Sequence, residues 1–146
     1  MKLYHGWRLY TFEPFARRLQ ALKTEVERLR AKAPEGYRRH PTTVLLASVY
    51  KAITEVADFR VGHTLGPEHA HWRRVKRGLP PRYRLFFRFS SKPVRVIVYV
   101  WLNDEATLRK AGAKTDVYAV FQRMLARGEV PSDIEALLKQ GSAIDE

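Results

Sequence analysis

The chain contains no cysteine. That removes disulfides, thiol catalysis and cysteine-based metal sites together, and it suits a reducing compartment. No apolar run comes near the ~20 residues of a membrane-spanning helix, and Met1 to Tyr10 lacks the charged-then-apolar layout of a signal peptide. A cytoplasmic protein without membrane contact is therefore expected. Repeats and low-complexity tracts are missing too, and 146 residues suffice for one core that hides about 70% of the unfolded surface. The most informative shortage is local: between Glu68 and Asp104 there is no acid at all, while nine Arg and Lys residues stand there unopposed.

Those nine residues hold most of the net charge of +12, since Met1 to Glu68 carries twelve positive and seven negative residues and Asp104 to Glu146 six and eight. The stretch "HWRRVKRGLPPRYRLFFRFSSKPVR", His71 to Arg95, interleaves its charges with Trp, Tyr and Phe at strand-like spacing. A solvated charge run would mix signs and lack the aromatics. A basic, aromatic surface suits a polyanion with flat bases, and an acidic protein segment fits it equally well.

Periodicity gives the elements. "LYHGWRLYTF" reads as a short strand interrupted by Gly6, and Pro14 then opens a helix with Phe15, Leu19, Leu22, Val26 and Leu29 on one stripe. After "KAPEGY" and Pro41 a second helix carries Leu45, Val49, Ile53 and Val56, and the two predict a helical hairpin packed on a sheet. A loop from about Phe59 to Ala70 leads to three antiparallel strands. In "RYRLFFRF", Tyr83, Leu85, Phe87 and Phe89 share one face and Arg82, Arg84, Phe86 and Arg88 the other; in the next strand Val94 to Leu102 alternate against Arg95, Ile97, Tyr99, Trp101 and Asn103. Arg74, Lys76, Arg84, Arg88, Tyr99, Trp101 and Asn103 would then merge into one basic and aromatic face. Thr115 or Asp116 caps a helix with a Val117, Val120, Phe121 stripe that stops at Gly128, and Ser132 with Glu135 forms a capping box for a last short helix. The expected fold is α+β: an N-terminal strand, a helical hairpin, a three-stranded antiparallel sheet and C-terminal helices, the helices covering one side. Residues 1–140 form a single domain and 141–146 a flexible tail.

The motifs "GWRLY" (6–10), "FRVGHTLG" (59–66), Trp72 with "RVK" (74–76), "RYRLFFRFS" (82–90) and "WLNDEATLRKAGAKTDVYAVFQRML" (101–125) with the following "RG" and "P" resemble the RelE superfamily of toxin ribonucleases. Within it the chain is most similar to the YhaV toxins of the PrlF–YhaV type. The resemblance spans nearly the whole chain and implies a RelE-like fold. It further implies mRNA cleavage, often on the ribosome, by attack of the 2′-hydroxyl on the adjacent phosphate, leaving a cyclic phosphate and a 5′-hydroxyl. A PrlF-like antitoxin would block the toxin, and operator DNA would be reached only through their complex. Arg74 falls at the family's basic position after the Trp, and Arg84 at the Arg of its "YR" strand. These two are the foremost candidates for phosphate and transition-state stabilisation.

The residues themselves suit such chemistry. Fixed Arg and Lys groups stabilise the charge that phosphoryl transfer concentrates, guanidiniums meet phosphate oxygens in pairs, and aromatic faces stack unpaired bases at ~1–3 kcal/mol each. Arg stays protonated, so proton transfer falls to another group. Lys76, Lys114, Asp116 and Tyr118 are the catalytic candidates; Asp116 reads equally as a helix cap alone. RNA contacts are expected from Arg60, Trp72, Arg73, Arg77, Arg82, Arg88, Asn103 and Arg109, with Asn103 reading equally as part of a turn or a helix cap. Trp72 and Trp101 read equally as packing residues. His63, His69 and His71 lack acid partners at metal-ligand spacing, so neither metal nor cofactor is expected, although His69 or His71 beside the basic strand could move a proton. Two other readings stay open: a non-catalytic RNA-binding module and an antitoxin-binding regulatory module on the same fold.

Overall fold

The computed structural model describes residues 3–59, 63–64, 69 and 71–144. Tyr4 and Trp7 bridge a tight turn in which Gly6 adopts φ +86°, and strand β1 follows at Arg8–Thr11. Helix α1, Glu13–Lys32, has Pro14 in its first turn, where its missing N–H has no helical partner to lose. A 3-10 turn at Tyr37–Arg39 leads into helix α2, Pro41–Phe59, which packs on α1 as expected of the hairpin. Strands β2 (His63–Thr64), β3 (Trp72–Val75), β4 (Leu85–Ser90) and β5 (Val96–Leu102) come next. Helices α3 (Val117–Ala126) and α4 (Ile134–Gln140) and strand β6 (Ser142–Ala143) complete the chain.

The α+β class is as expected, but the sheet is larger than three antiparallel strands. It has six, in the order β2-β3-β4-β5-β1-β6, with β1 parallel to β5 and the other pairings antiparallel. The physical reason lies in β5: "VIVYVWL" is apolar on both faces, the mark of an interior strand that needs a neighbour on each edge. β1 supplies the second neighbour. Residues 142–143, in the segment expected to be flexible, pair with β1 in turn, and the Ile144 amide donates to the Leu9 carbonyl at 2.8 Å.

Helices lie on both faces of the sheet, which corrects the expectation of one covered side. Phe15 and Leu22 of α1 and Leu45, Val49 and Ile53 of α2 bury one face with Leu9, Leu85, Phe87, Ile97 and Tyr99. On the other, Val117 and Phe121 of α3 and Leu137 of α4 pack on Trp72, Phe86, Val98 and Val100. Each large apolar side chain so buried contributes about 1.5–3 kcal/mol. A bulge divides the faces unexpectedly. Phe86 pairs with Trp101 and Phe87 with Tyr99, leaving Val100 as an extra residue in β5. Past it Trp101 joins the α3 side and Leu102 the α1–α2 side, so strict alternation along Val94 to Leu102 fails. Tyr99, expected on the basic face, is buried on the hairpin side, where its hydroxyl donates to the Ile53 carbonyl at 3.0 Å.

Local signals set the ends of α3. Asp116 is its N-cap, and Gly128, at φ +73°, donates to the Leu125 carbonyl while Glu129 donates to that of Met124. This is the paired bonding of a Schellman stop. For α4 the cap is Asp133 rather than Ser132, because the helix starts one residue later than the capping box requires.

Candidate active site

β3 and β4 are antiparallel neighbours with Arg74 opposite Phe86, so Arg74 and the start of β4 face the N-terminus of α3 together. Tyr118, the second residue of α3, stands at their meeting point. Arg74 Nη1 donates to Tyr118 Oη at 2.5 Å, and Arg84 Nε donates to the same oxygen at 3.0 Å. Arg84 is 8% exposed and also donates through Nη1 to the Tyr83 carbonyl. Arg74 Nε is buried with no partner among the described residues. A buried N–H left without a bond is uncommon and marks a place where a ligand oxygen would be welcome.

A second layer fixes this trio. The Arg109 guanidinium lies 4.8 Å from the centre of the Tyr118 ring and that of Arg74 lies 5.2 Å from it. Arg109 Nη1 donates to Asp116 Oδ2 at 2.9 Å, and Asp116 also accepts from the amides of Lys110 at 2.6 Å and Tyr118 at 3.2 Å. Burial alone would raise the Asp116 carboxyl, but the Lys110 amide, Arg109 and the Tyr118 amide together hold it below the usual carboxylate range. Its oxygens are thus committed to capping α3 and gripping Arg109, which places it behind Tyr118 as a positioning group. Asn103, expected to touch RNA, is wholly buried: its Oδ1 accepts from the Arg84 amide at 2.8 Å, and its Nδ2 donates to the carbonyls of Arg82 and Thr107. It anchors the backbone that carries Arg84.

The other candidates disperse. Lys76, Arg77, Arg82 and Lys114 are exposed, and Arg82 Nε donates to the Arg109 carbonyl at 3.0 Å, tying the two loops together. Arg73 turns to the opposite face, over the Phe89 ring. Trp72, only 2% exposed, meets Phe121 edge-on at 5.2 Å and is a packing residue, whereas Arg88 lies over its ring at 5.8 Å. Burial lowers the Arg88 guanidinium, against the pull of Asp133. Trp101 is half-buried and stacks on Phe86 at 5.7 Å, with Phe121 parallel to both. Arg60 lies outside the described residues, and His69 and His71 make no part of the trio. Among the described residues no cluster of His, Asp or Glu could hold a metal ion, and no helix is long and apolar enough to cross a membrane.

The offset of Tyr118 from the Val117, Val120, Phe121 stripe was legible in the sequence. The grip of Asp116 on Arg109 was not, because six residues of loop lie between them and no periodicity links them. Two roomy grooves line the hairpin side, one beside Leu19 and Ile53 and one beside Leu22 and Leu45. Neither touches the trio, which sits on the other side of the sheet.

Guanidiniums converging on a phenol, with one buried Arg74 N–H unpartnered among the described residues, make a centre suited to phosphodiester chemistry. A family model described as a toxin with endonuclease activity, of toxin–antitoxin systems, matches residues 9–142, and the chain belongs to this YhaV toxin family. It is 46% identical over 144 residues to the ribonuclease toxin YhaV of Escherichia coli (strain K12), a match covering 93% of this chain and 92% of that protein. Toxin YhaV of Escherichia coli O157:H7 matches to the same extent. No solved structure matches the chain. The protein is a toxin with endonuclease activity, and an antitoxin is its implied partner.

Proposed function

We propose that the chain cleaves mRNA within single-stranded stretches, and that Arg74, Arg84 and Tyr118 form the reacting centre. The observation that carries this is the double donation to Tyr118 Oη beside the unpartnered Arg74 Nε. The 2′-oxygen attacks the adjacent phosphorus as its proton passes to solvent water, the bond from phosphorus to the 5′-oxygen breaks, and that oxygen takes up a proton. A 2′,3′-cyclic phosphate and a 5′-hydroxyl result. Arg74 and Arg84 meet the equatorial oxygens where charge accumulates. Both acceptor sites of the Tyr118 oxygen are filled by guanidinium N–H groups, so its own proton is the group it can offer, and we assign it to the leaving 5′-oxygen. Lys76 and Lys114, exposed on either side, add attraction for the backbone.

This reading takes the fold as RelE-like and carries over the ribonuclease activity named for the relative from Escherichia coli. It places the substrate on translating ribosomes in a cytoplasmic setting, gives the basic face to an acidic PrlF-like antitoxin at rest, and brings in operator DNA only through that complex. The test is 5′-end mapping of a defined mRNA with and without translating ribosomes. New 5′-hydroxyl ends are expected, reduced about 100- to 1,000-fold in Arg74→Ala and in Arg84→Ala, the usual cost of one lost transition-state donor. Full cleavage by both variants would sink the assignment of the centre.

A further inference from the structure

We propose that the cleft between β3 and the outer side of α3 is a nucleobase pocket that selects the residue next to the scissile phosphate, an inference that rests on RNA being the substrate. The cleft is an open groove of about 500 Å³ lined by His69, Trp72, Gln122, Leu125, Ala126 and Ser132. That size and a lining of apolar walls with a few polar tips are what a small flat ligand requires.

Its position follows from the two elements that build the reacting centre. Trp72 lies two residues before Arg74 on the same face of β3, a step of about 6.5 Å. Gln122 lies four residues after Tyr118 on α3, one turn on, a step of about 6 Å. The two steps run the same way, because Trp72 meets Phe121 just as Arg74 meets Tyr118. The pocket therefore sits one short step from the phosphate bound at Arg74 and Arg84, within reach of the adjoining nucleotide. Arg88, lying over Trp72 and in no ion pair among the described residues, is placed at its rim for the next phosphate.

The chemistry of the lining points to a base rather than a sugar. Gln122 offers an amide with both donor and acceptor, which can pair with a base edge as it does in nucleic-acid readout, and Ser132 adds a hydroxyl. Leu125, Ala126 and the Trp72 edge give it flat apolar walls. Gln122 sits exposed on α3 and makes no side-chain hydrogen bond among the described residues, so its amide is available.

The test compares cleavage-site preference over a randomised mRNA for the intact chain, Gln122→Ala and Arg74→Ala, in free and translated RNA. The intact chain should favour one base at a single position beside the cut. Gln122→Ala should flatten that preference about 2- to 13-fold, the worth of one hydrogen bond, and leave other positions as they were. Arg74→Ala should lower cutting at all sites alike and keep the preference. An unchanged preference in Gln122→Ala, or none in the intact chain, overturns the pocket while leaving the nuclease reading standing. A second measurement is independent of cleavage: selection of uncleavable 2′-O-methyl RNA from a random pool. Enrichment at one position by the intact chain but not by Gln122→Ala upholds the pocket even if no cutting is seen, and flat pools from both overturn it.

Discussion

On the proposed reading, Tyr118 and Asp116 let one helix terminus serve fold and chemistry at once. Asp116 caps α3 and pins Arg109 across the Tyr118 ring, so loss of its carboxylate should cost both stability and geometry. Asp116→Ala is expected to lower stability by about 1–2 kcal/mol, as caps do. In the same variant kcat should fall more than KM rises, with Asp116→Asn recovering part of kcat because the amide can still cap. Equal loss of stability with untouched kcat would confine Asp116 to the fold. Acid offers a second check. The Asp116 pKa is lowered on folding, so its contribution is fully present above the unfolded value of about 4 and is lost as pH falls through the lower folded value. Chemical denaturation from pH 7 down to pH 3 should therefore show a smaller decline in Asp116→Asn than in the intact chain. At this scale the sequence was legible where a side chain broke a pattern, as Tyr118 does. It was opaque at Asn103 and Trp72, since a polar or aromatic residue beside arginines reads the same whether it faces RNA or locks the backbone behind it. Burial decides between the two.

At the scale of elements, α3 is held to the sheet by a short stack of rings. Phe121 lies parallel to Phe86 at 4.2 Å between centres and meets Trp72 edge-on, so Phe121→Ala should cost about 3–5 kcal/mol and release the helix that carries Tyr118. Gly128→Ala should be milder. A Cβ there would meet nothing within 4 Å, which leaves only the left-handed backbone to penalise it, by about 1–2 kcal/mol. Thermal unfolding ranks the two, and a larger loss in Gly128→Ala would contradict the packing account of α3. The apolar stripes of all four helices were legible in the sequence, as were β3, β4 and β5. The side taken by α3 was not foreseen, although Phe86 amid arginines and the unbroken "VIVYVWL" both signal a sheet buried on two faces. The Val100 bulge left no such trace, because its neighbours are apolar on either face.

For the whole molecule, the question is which part of a +12 charge acts on a polyanion. On α1 two of the six cations have local partners, Arg17 with Glu13 and Arg28 with Glu25, across the sheet from Arg74, Arg84 and Tyr118. The stretch between Glu68 and Asp104 has no acids of its own to answer its nine cations, and Arg74, Arg84 and Arg88 of these lie on the α3 side of the sheet. RNA binding should then be dominated by phosphate contacts from Arg74, Arg84, Arg88 and their exposed neighbours. With about four or five such contacts and a log–log slope near −0.7 for each phosphate on a single strand, raising salt from about 50 to 200 mM should weaken binding about 50- to 130-fold. The two faces can be separated by mutation. Arg88→Ala should make the slope shallower by about 0.7, whereas Arg17→Ala, which removes a charge already offset by Glu13, should leave it as it was. An equal change in both variants would mean that total charge, and not the acid-free stretch, draws the nucleic acid in. It would also remove the electrostatic reason for an acidic antitoxin segment to settle over Arg74, Arg84 and Tyr118 rather than anywhere else on the surface.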